Sequence, residues 1–141
     1  MGIPFDPDDP FPLLDEDEAP YADAKEHAAR VDAHLGIDTA RAEAEVLASP
    51  PPVTDEPAQL WRGLPVQSLL TPYTELRAML ARLAPSPGDV VVDLGAAYGR
   101  MGHVVGRHHA GVRFVGYECV APRVREGRRA LERAGYAGVE L

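Results

Sequence analysis

The sequence lacks several features that define whole classes of protein. Its single cysteine, Cys119, excludes an internal disulfide framework and a cysteine-rich zinc module. No apolar run reaches the roughly 20 residues that a membrane helix needs, and the acidic, proline-broken start predicts no signal peptide. We therefore expect a cytoplasmic protein without a membrane partner, since an unpaired thiol suits a reducing compartment.

Charge is distributed unevenly along the 141 residues. Residues 1–60 carry 15 acidic and three basic side chains, whereas residues 61–141 carry seven acidic and 11 basic ones. An acidic half argues against non-specific binding to phosphate backbones, so nucleic acid is not an expected partner. The length suits one modest domain.

Proline content and hydrophobic periodicity divide the chain into four segments. They are a disordered acidic leader (1–20), a helical hairpin (21–49), a linker (50–66) and the beginning of an α/β domain (67–141). The leader's composition predicts little burial, with four apolar exceptions that could dock on the domain or form a short binding motif: Phe5, Phe11, Leu13 and Leu14. In the hairpin, Gly36 suits the end of the first helix and Asp38 can cap the second.

The second half predicts strands that alternate with helices. Val90 to Val92 is typical of a strand buried on both faces, and a helix over residues 100–108 follows a glycine-spaced turn. A second strand runs from Val112 to Glu118, which completes one βαβ unit. Because such units are right-handed, the two strands should lie parallel and side by side.

The turn at the end of the first strand is the candidate binding site. Gly95 and Gly99 allow a ligand to approach the backbone closely, and the helix that follows offers free N–H groups. Asp93 can bind a cationic amine, and Glu118 is placed to accept both hydroxyls of a ribose. A ribose with a zwitterionic tail indicates an adenosyl amino acid.

Dinucleotides remain an alternative ligand class on these residues. Their fingerprint is G-x-G-x-x-G, and counting from Gly95 its second and third glycine positions hold Ala97 and Arg100. A phosphate-binding P-loop is excluded because no Gly-Lys-Ser/Thr follows the turn.

The stretch from Val91 to Gly99 resembles the first motif of the class I S-adenosylmethionine-dependent methyltransferases, with Ala97 at the middle glycine. The likeness covers residues 88–141. It implies an α/β, three-layer, Rossmann-like fold and S-adenosylmethionine as the cofactor. The cofactor-binding residues that it implies are Asp93, Gly95, Ala96, Ala97, Gly99 and Glu118.

A narrower resemblance lies upstream. Residues 71–76 are similar to the Tyr-Gly-Glu loop of the non-SET histone-lysine methyltransferases, the disruptor-of-telomeric-silencing family, with Thr74 in place of the glycine. This likeness implies that Tyr73 and Glu75 lie near the methionine end of the cofactor. The same residues suit a simple helix start at Thr71 equally well, and both readings stay open.

The class I resemblance implies a seven-stranded sheet, of which only strands one to three fall within the sequence. We therefore expect an incomplete domain that associates with its missing C-terminal part, and we assign no catalytic residue. The predicted function is methyl transfer to an unknown acceptor, either a protein lysine or a small molecule. The alternatives are a non-catalytic binding or regulatory module and a different nucleotide-binding domain, such as a dehydrogenase.

Two further groups of residues need an interpretation. The arginines of the predicted helix 121–134 indicate a solvated face, or a contact for an acidic substrate or for the acidic leader. His103 and His108 are five residues apart, a spacing that does not align two ligands on one helical face, so no metal site is predicted.

Overall fold

The computed structural model describes residues 2–15, 19–50 and 61–141. These residues form a mixed α/β fold around a three-stranded parallel sheet. The acidic run 16–18 and most of the predicted linker, 51–60, lie outside the described residues. The elements are α1 (Tyr21–Leu35), α2 (Thr39–Ala48), α3 (Val66–Leu69), α4 (Tyr73–Leu83), β1 (Val90–Leu94), α5 (Arg100–His108), β2 (Arg113–Tyr117), α6 (Ala121–Ala134) and β3 (Val139–Glu140).

The sheet confirms the βαβ prediction. Its strands follow the order β1-β2-β3, with Val91 opposite Phe114 and Phe114 opposite Val139. Helix α5 packs closely on this sheet because Gly102 has no side chain: a Cβ there would lie 2.9 Å from the Phe114 ring. The turn between β1 and α5 places the end of the strand and the start of the helix together at one edge of the sheet.

One face of β1 differs from the sequence expectation. Val90, Val92 and Leu94 are 48%, 53% and 80% exposed, although the valine run indicated burial on both faces. Both crossovers run in the same direction across the sheet, so their right-handedness places α5 and α6 on the same side. The prediction is wrong for the opposite face because nothing in the described residues covers it.

The leader buries more than its composition indicates. Ile3 and Phe11 are both buried, and the Phe11 ring lies 5.3 Å from the ring of Tyr73. Asp9 reinforces the contact, since its Oδ1 lies 2.8 Å from Nε2 of His108. Prolines restrict the extended chain and so reduce the entropy lost on docking. The expected docking is confirmed for Phe11 and for Phe5, which packs against the same core, and it is wrong for Leu13, which is 55% exposed. The expectation of little burial fails at Ile3 and Phe11.

Local capping signals set most of the helix ends. Gly36 adopts the left-handed conformation after α1, and the Asp38 carboxylate accepts a hydrogen bond from the Arg41 N–H, as predicted. Helix α4 begins at Tyr73 without a side-chain cap, so Thr71 does not have the predicted role. None of the helices in the described part of the chain is both long and apolar enough to cross a membrane.

The docking of the leader is testable with two substitutions two residues apart. Phe11→Ala should lower the free energy of unfolding by about 3 kcal/mol, because it empties a buried aromatic site. Leu13→Ala should change it by less than about 0.5 kcal/mol, because Leu13 is 55% exposed. Urea unfolding followed by circular dichroism measures both values. Equal, small effects would show that the leader does not pack on the core.

Candidate functional site

A cleft of about 190 Å³ opens at the carboxyl end of β1, where the chain turns into α5. One wall is the turn itself and the other is the exposed side of α4. The sequence-predicted residues that the structure brings together here are Asp93, Gly95, Ala96 and Ala97. Leu76 and Met79 of α4 face them across the cleft. The cleft is therefore polar at the strand end and apolar on its opposite wall.

The backbone of the turn needs left-handed conformations at three positions. Gly95, Ala97 and Gly99 have φ angles of +86°, +47° and +75°. The N–H groups of Gly95 and Ala96 both donate to the Tyr117 carbonyl, at 2.8 and 2.9 Å. A Cβ at Gly95 would meet nothing within 4 Å, so the turn leaves open space beside this residue.

Glu118 holds the turn rather than lining the cleft. Its Oε2 accepts a hydrogen bond from the Ala97 N–H at 2.9 Å, and its Oε1 accepts one from the Val120 N–H at 2.9 Å. Each carboxylate oxygen keeps a further lone pair that can accept a ligand hydroxyl. The carboxylate therefore fixes the downstream half of the turn, and its role towards a ribose stays a prediction.

Among the residues that the structure describes, Asp93 is the only acidic side chain that lines this cleft. Within residues 2–15, 19–50 and 61–141, no hydrogen bond or ion pair satisfies its carboxylate. Burial, and to a lesser extent the negative charge of Glu118, raise the pKa of Asp93 above its ordinary value. A half-buried carboxylate without a partner at the edge of a cleft is suited to binding a cationic group.

Three other sequence-predicted residues lie elsewhere. Tyr73 is fully buried, and its hydroxyl donates to Asp32 Oδ1 at 2.9 Å. Glu75 is exposed on the first turn of α4, outside the cleft. Gly99 caps α5, and a Cβ there would lie 2.9 Å from the Leu131 side chain. The structure therefore does not bring Tyr73, Glu75 or Gly99 into the cleft.

A buried ion pair at the wall of the cleft, which Arg100 lines, was missed by sequence reasoning. Arg100 and Asp32 are each about 95% buried, and they join through Nη2–Oδ2 at 2.5 Å and Nε–Oδ1 at 3.1 Å. The guanidinium also lies 5.0 Å from the centre of the Tyr73 ring. The sequence did contain a signal for this pair, because Asp32 follows Ala28 by four residues and so lies on the apolar face of α1. A carboxylate on such a face requires a buried partner.

Three of the five arginines of α6 pair with acidic side chains, and the other two, Arg128 and Arg133, donate to backbone carbonyls. Arg123 binds Glu43 at 2.8 Å, Arg125 binds Glu45, and Arg129 binds Glu126 on its own helix. Glu43 and Glu45 belong to α2, so among the described residues the acidic partners of this helix come from the hairpin and from α6 itself. The acidic and basic halves of the chain therefore neutralise each other at the α2–α6 interface.

The two histidines of α5, His103 and His108, lie in different environments. His103 is fully buried, and burial lowers its pKa to about 4. His108 faces Asp9 of the leader. In the ranges that the structure describes, no group of three His, Cys, Asp or Glu side chains has an arrangement suited to a metal ion.

The left-handed backbone at Ala97 leads to a prediction about the stability of the protein. Ala97→Gly should stabilise the protein by up to about 1 kcal/mol, because glycine adopts this conformation without steric strain. Ala96→Gly, its neighbour, should destabilise the protein by about 1 kcal/mol, because Ala96 is buried and has no such strain. Thermal unfolding of both variants checks the signs. Destabilisation by Ala97→Gly would contradict the turn geometry.

Asp93 should make stability depend on pH. Because its pKa is raised in the folded state, the wild-type protein loses stability as the pH rises through that pKa. Asp93→Asn should therefore be more stable than the wild type at pH 7, by less than about 1 kcal/mol since water screens a half-buried charge. Below the ordinary pKa of about 3.9 the two should be equally stable. Denaturant unfolding at pH 7 and pH 3 measures the difference, and a less stable variant at pH 7 would refute the argument.

No protein-family model matches the chain, and no curated protein matches it. Among solved structures, the chain is similar to the X-ray structure of YjhP from E. coli, with 26% sequence identity and a TM-score of 0.39. The similarity covers 47% of this chain and 27% of that chain, so the chain spans about a quarter of the length of YjhP. A likeness this weak does not assign the chain to a family.

Proposed function

We propose that the chain binds S-adenosylmethionine in the cleft beside β1 and supplies the cofactor-binding half of a methyltransferase. The observation that carries the proposal is the Asp93 carboxylate, which lacks a partner among the described residues and borders the open space beside Gly95. The cofactor carries positive charge on its sulfonium and on its amino group. A cleft with a single carboxylate on its polar wall suits such a ligand.

The residues present fit one part of the cofactor. Asp93 would hold the ammonium of the amino-acid tail, and the open space at Gly95 would admit the tail next to the backbone. Glu118 would accept a ribose hydroxyl through the lone pairs that the turn leaves free. The cleft volume of about 190 Å³ is below the roughly 300–1,000 Å³ of complete small-molecule pockets. This size supports a half-site rather than a complete site.

The same features count against a dinucleotide. In the dinucleotide fingerprint, the second glycine lets the pyrophosphate approach the backbone closely. This chain has Ala97 at that position, and its methyl group occupies the space that the pyrophosphate needs. The Asp93 carboxylate would also repel the phosphate charges. We therefore favour the adenosyl amino acid over a nicotinamide cofactor.

When bound, the cofactor supplies a methyl group on a positively charged sulfur that a nucleophile can displace. The contribution of this chain is to bind and orient the cofactor, which is a large part of catalysis by proximity. The narrower likeness to lysine methyltransferases gains no support, because Tyr73 and Glu75 lie outside the cleft. The acceptor is thus a protein lysine or a small molecule, with neither favoured.

Calorimetric titration with S-adenosylhomocysteine tests the proposal. The wild type should bind, and Asp93→Asn should weaken binding at least about tenfold, because it removes a charge-assisted hydrogen bond. Asp89→Asn is the matched control, because it is the same substitution at the residue that precedes β1, at the opposite end of the strand from Asp93. The amide oxygen of the new asparagine can still accept the hydrogen bond from the Ser86 N–H. The control should bind like the wild type.

Two outcomes would overturn the proposal. One is no binding by a wild-type chain that unfolds cooperatively and is therefore folded. The other is tighter binding of NADH than of S-adenosylhomocysteine, which would favour a nucleotide-binding domain of another kind.

A further inference from the structure

Tyr98 occupies an unusual position in the cofactor-binding turn. It lies between two left-handed residues, Ala97 and Gly99, and is almost completely buried. Its ring belongs to a second apolar cluster with Ile37, Ala42, Leu70 and Ala130. The turn is therefore anchored through this side chain to residues of the hairpin and of α6.

The far end of the Tyr98 side chain reaches α2. Its hydroxyl donates to Glu43 Oε1 at 2.6 Å. Glu43 also accepts two hydrogen bonds from Arg123 of α6, from Nε at 2.8 Å and from Nη2 at 3.0 Å. Burial raises the pKa of Glu43, but the hydrogen bonds from Arg123 and Tyr98 outweigh burial and keep it below its ordinary value. Glu43 is thus an ionised acceptor at neutral pH.

Helix α6 restrains the same turn from another side. A Cβ at Gly127 would lie 2.7 Å from the Tyr98 carbonyl oxygen, so the helix and the turn are in backbone contact. The upstream half of the turn is held by the Tyr117 carbonyl. The downstream half, from Ala97 to Gly99, depends on Glu118 and on the Tyr98 anchor.

We propose that Glu43 is a positioning residue for the cofactor-binding turn. It does not line the cleft; it acts through the Tyr98 hydroxyl, which sets the orientation of the backbone around Ala97. The expected effect of Glu43 on ligand binding rests on the proposed function. The expected effect of Glu43 on the turn itself does not require a ligand.

Glu45 provides a matched control on the same helix. It is an acidic residue of α2 that pairs with an arginine of α6, Arg125, just as Glu43 pairs with Arg123. Glu45 is exposed, and among the described residues it has no hydrogen bond or ion pair with the turn. Loss of a negative charge on α2 would therefore appear in both variants. Tyr98→Phe, which leaves the pair of Glu43 and Arg123 in place, separates loss of positioning from a weakened α2–α6 interface.

The experiment compares Glu43→Gln, Glu45→Gln and Tyr98→Phe in the full chain. Amide hydrogen exchange by NMR is measured without ligand, and S-adenosylhomocysteine binding by calorimetry. In Glu43→Gln, exchange at the Ala97 and Gly99 amides should accelerate about tenfold and binding should weaken about tenfold, because a hydrogen bond to a charged acceptor is weakened. Glu45→Gln should leave both unchanged.

Tyr98→Phe removes the same hydrogen bond from the other side. It should reproduce both effects, and the double variant should be no worse than either single variant, since the two residues act through one interaction. Equal exchange at the turn in Glu43→Gln and Glu45→Gln would overturn the inference, as would additive effects in the double variant. If the wild type binds no ligand, the proposed function fails, and the exchange measurement alone decides the role of Glu43.

Discussion

The buried pair of Arg100 and Asp32 is the interaction on which the arrangement of the cleft depends. Taking two charges out of water is expensive, and the attraction between them offsets this only with good geometry and further hydrogen bonds. Both conditions hold, because the guanidinium binds both carboxylate oxygens and also donates to Gln67 and to the Thr71 carbonyl. One side chain thereby joins α1, α3, the start of α4 and the first residue of α5.

This pair also explains why the turn and α4 face each other at a fixed distance. Arg100 directly follows the turn, and the Thr71 carbonyl that it binds precedes α4. Tyr73 completes the cluster by donating to Asp32, and burial followed by the Asp32 charge raises the pKa of its phenol. The residue that resemblance placed at the ligand is thus part of the frame that shapes the cleft.

The second organising constraint is charge complementarity between α2 and α6. Glu126 of α6 is buried, and its carboxylate accepts from the Asp38 N–H at 2.6 Å and from Arg41 at 2.7 Å. Hydrogen bonding from Arg129, opposed by burial and assisted by the Asp38 N–H, lowers the pKa of Glu126 to about 2. The stabilisation is therefore complete above the ordinary glutamate pKa and is lost only as the pH falls towards about 2. The pairs of α2 glutamates with α6 arginines join acidic side chains of the first half of the chain to basic side chains of the second half.

The sequence by itself determined the elements whose signals are local. Gly36, Asp38 and Gly135 mark helix ends through backbone conformation and capping. Two β-branched runs separated by a glycine-spaced turn and a helix indicated a parallel βαβ unit. Only the tertiary structure decided which faces are buried, since the exposure of Val92 depends on what covers the sheet. It also decided the long-range partners: Asp32 and Arg100 are 68 residues apart, and Glu43 and Arg123 are 80 apart. No local pattern specifies such pairs, because each carboxylate can satisfy its charge with any arginine that the fold brings near.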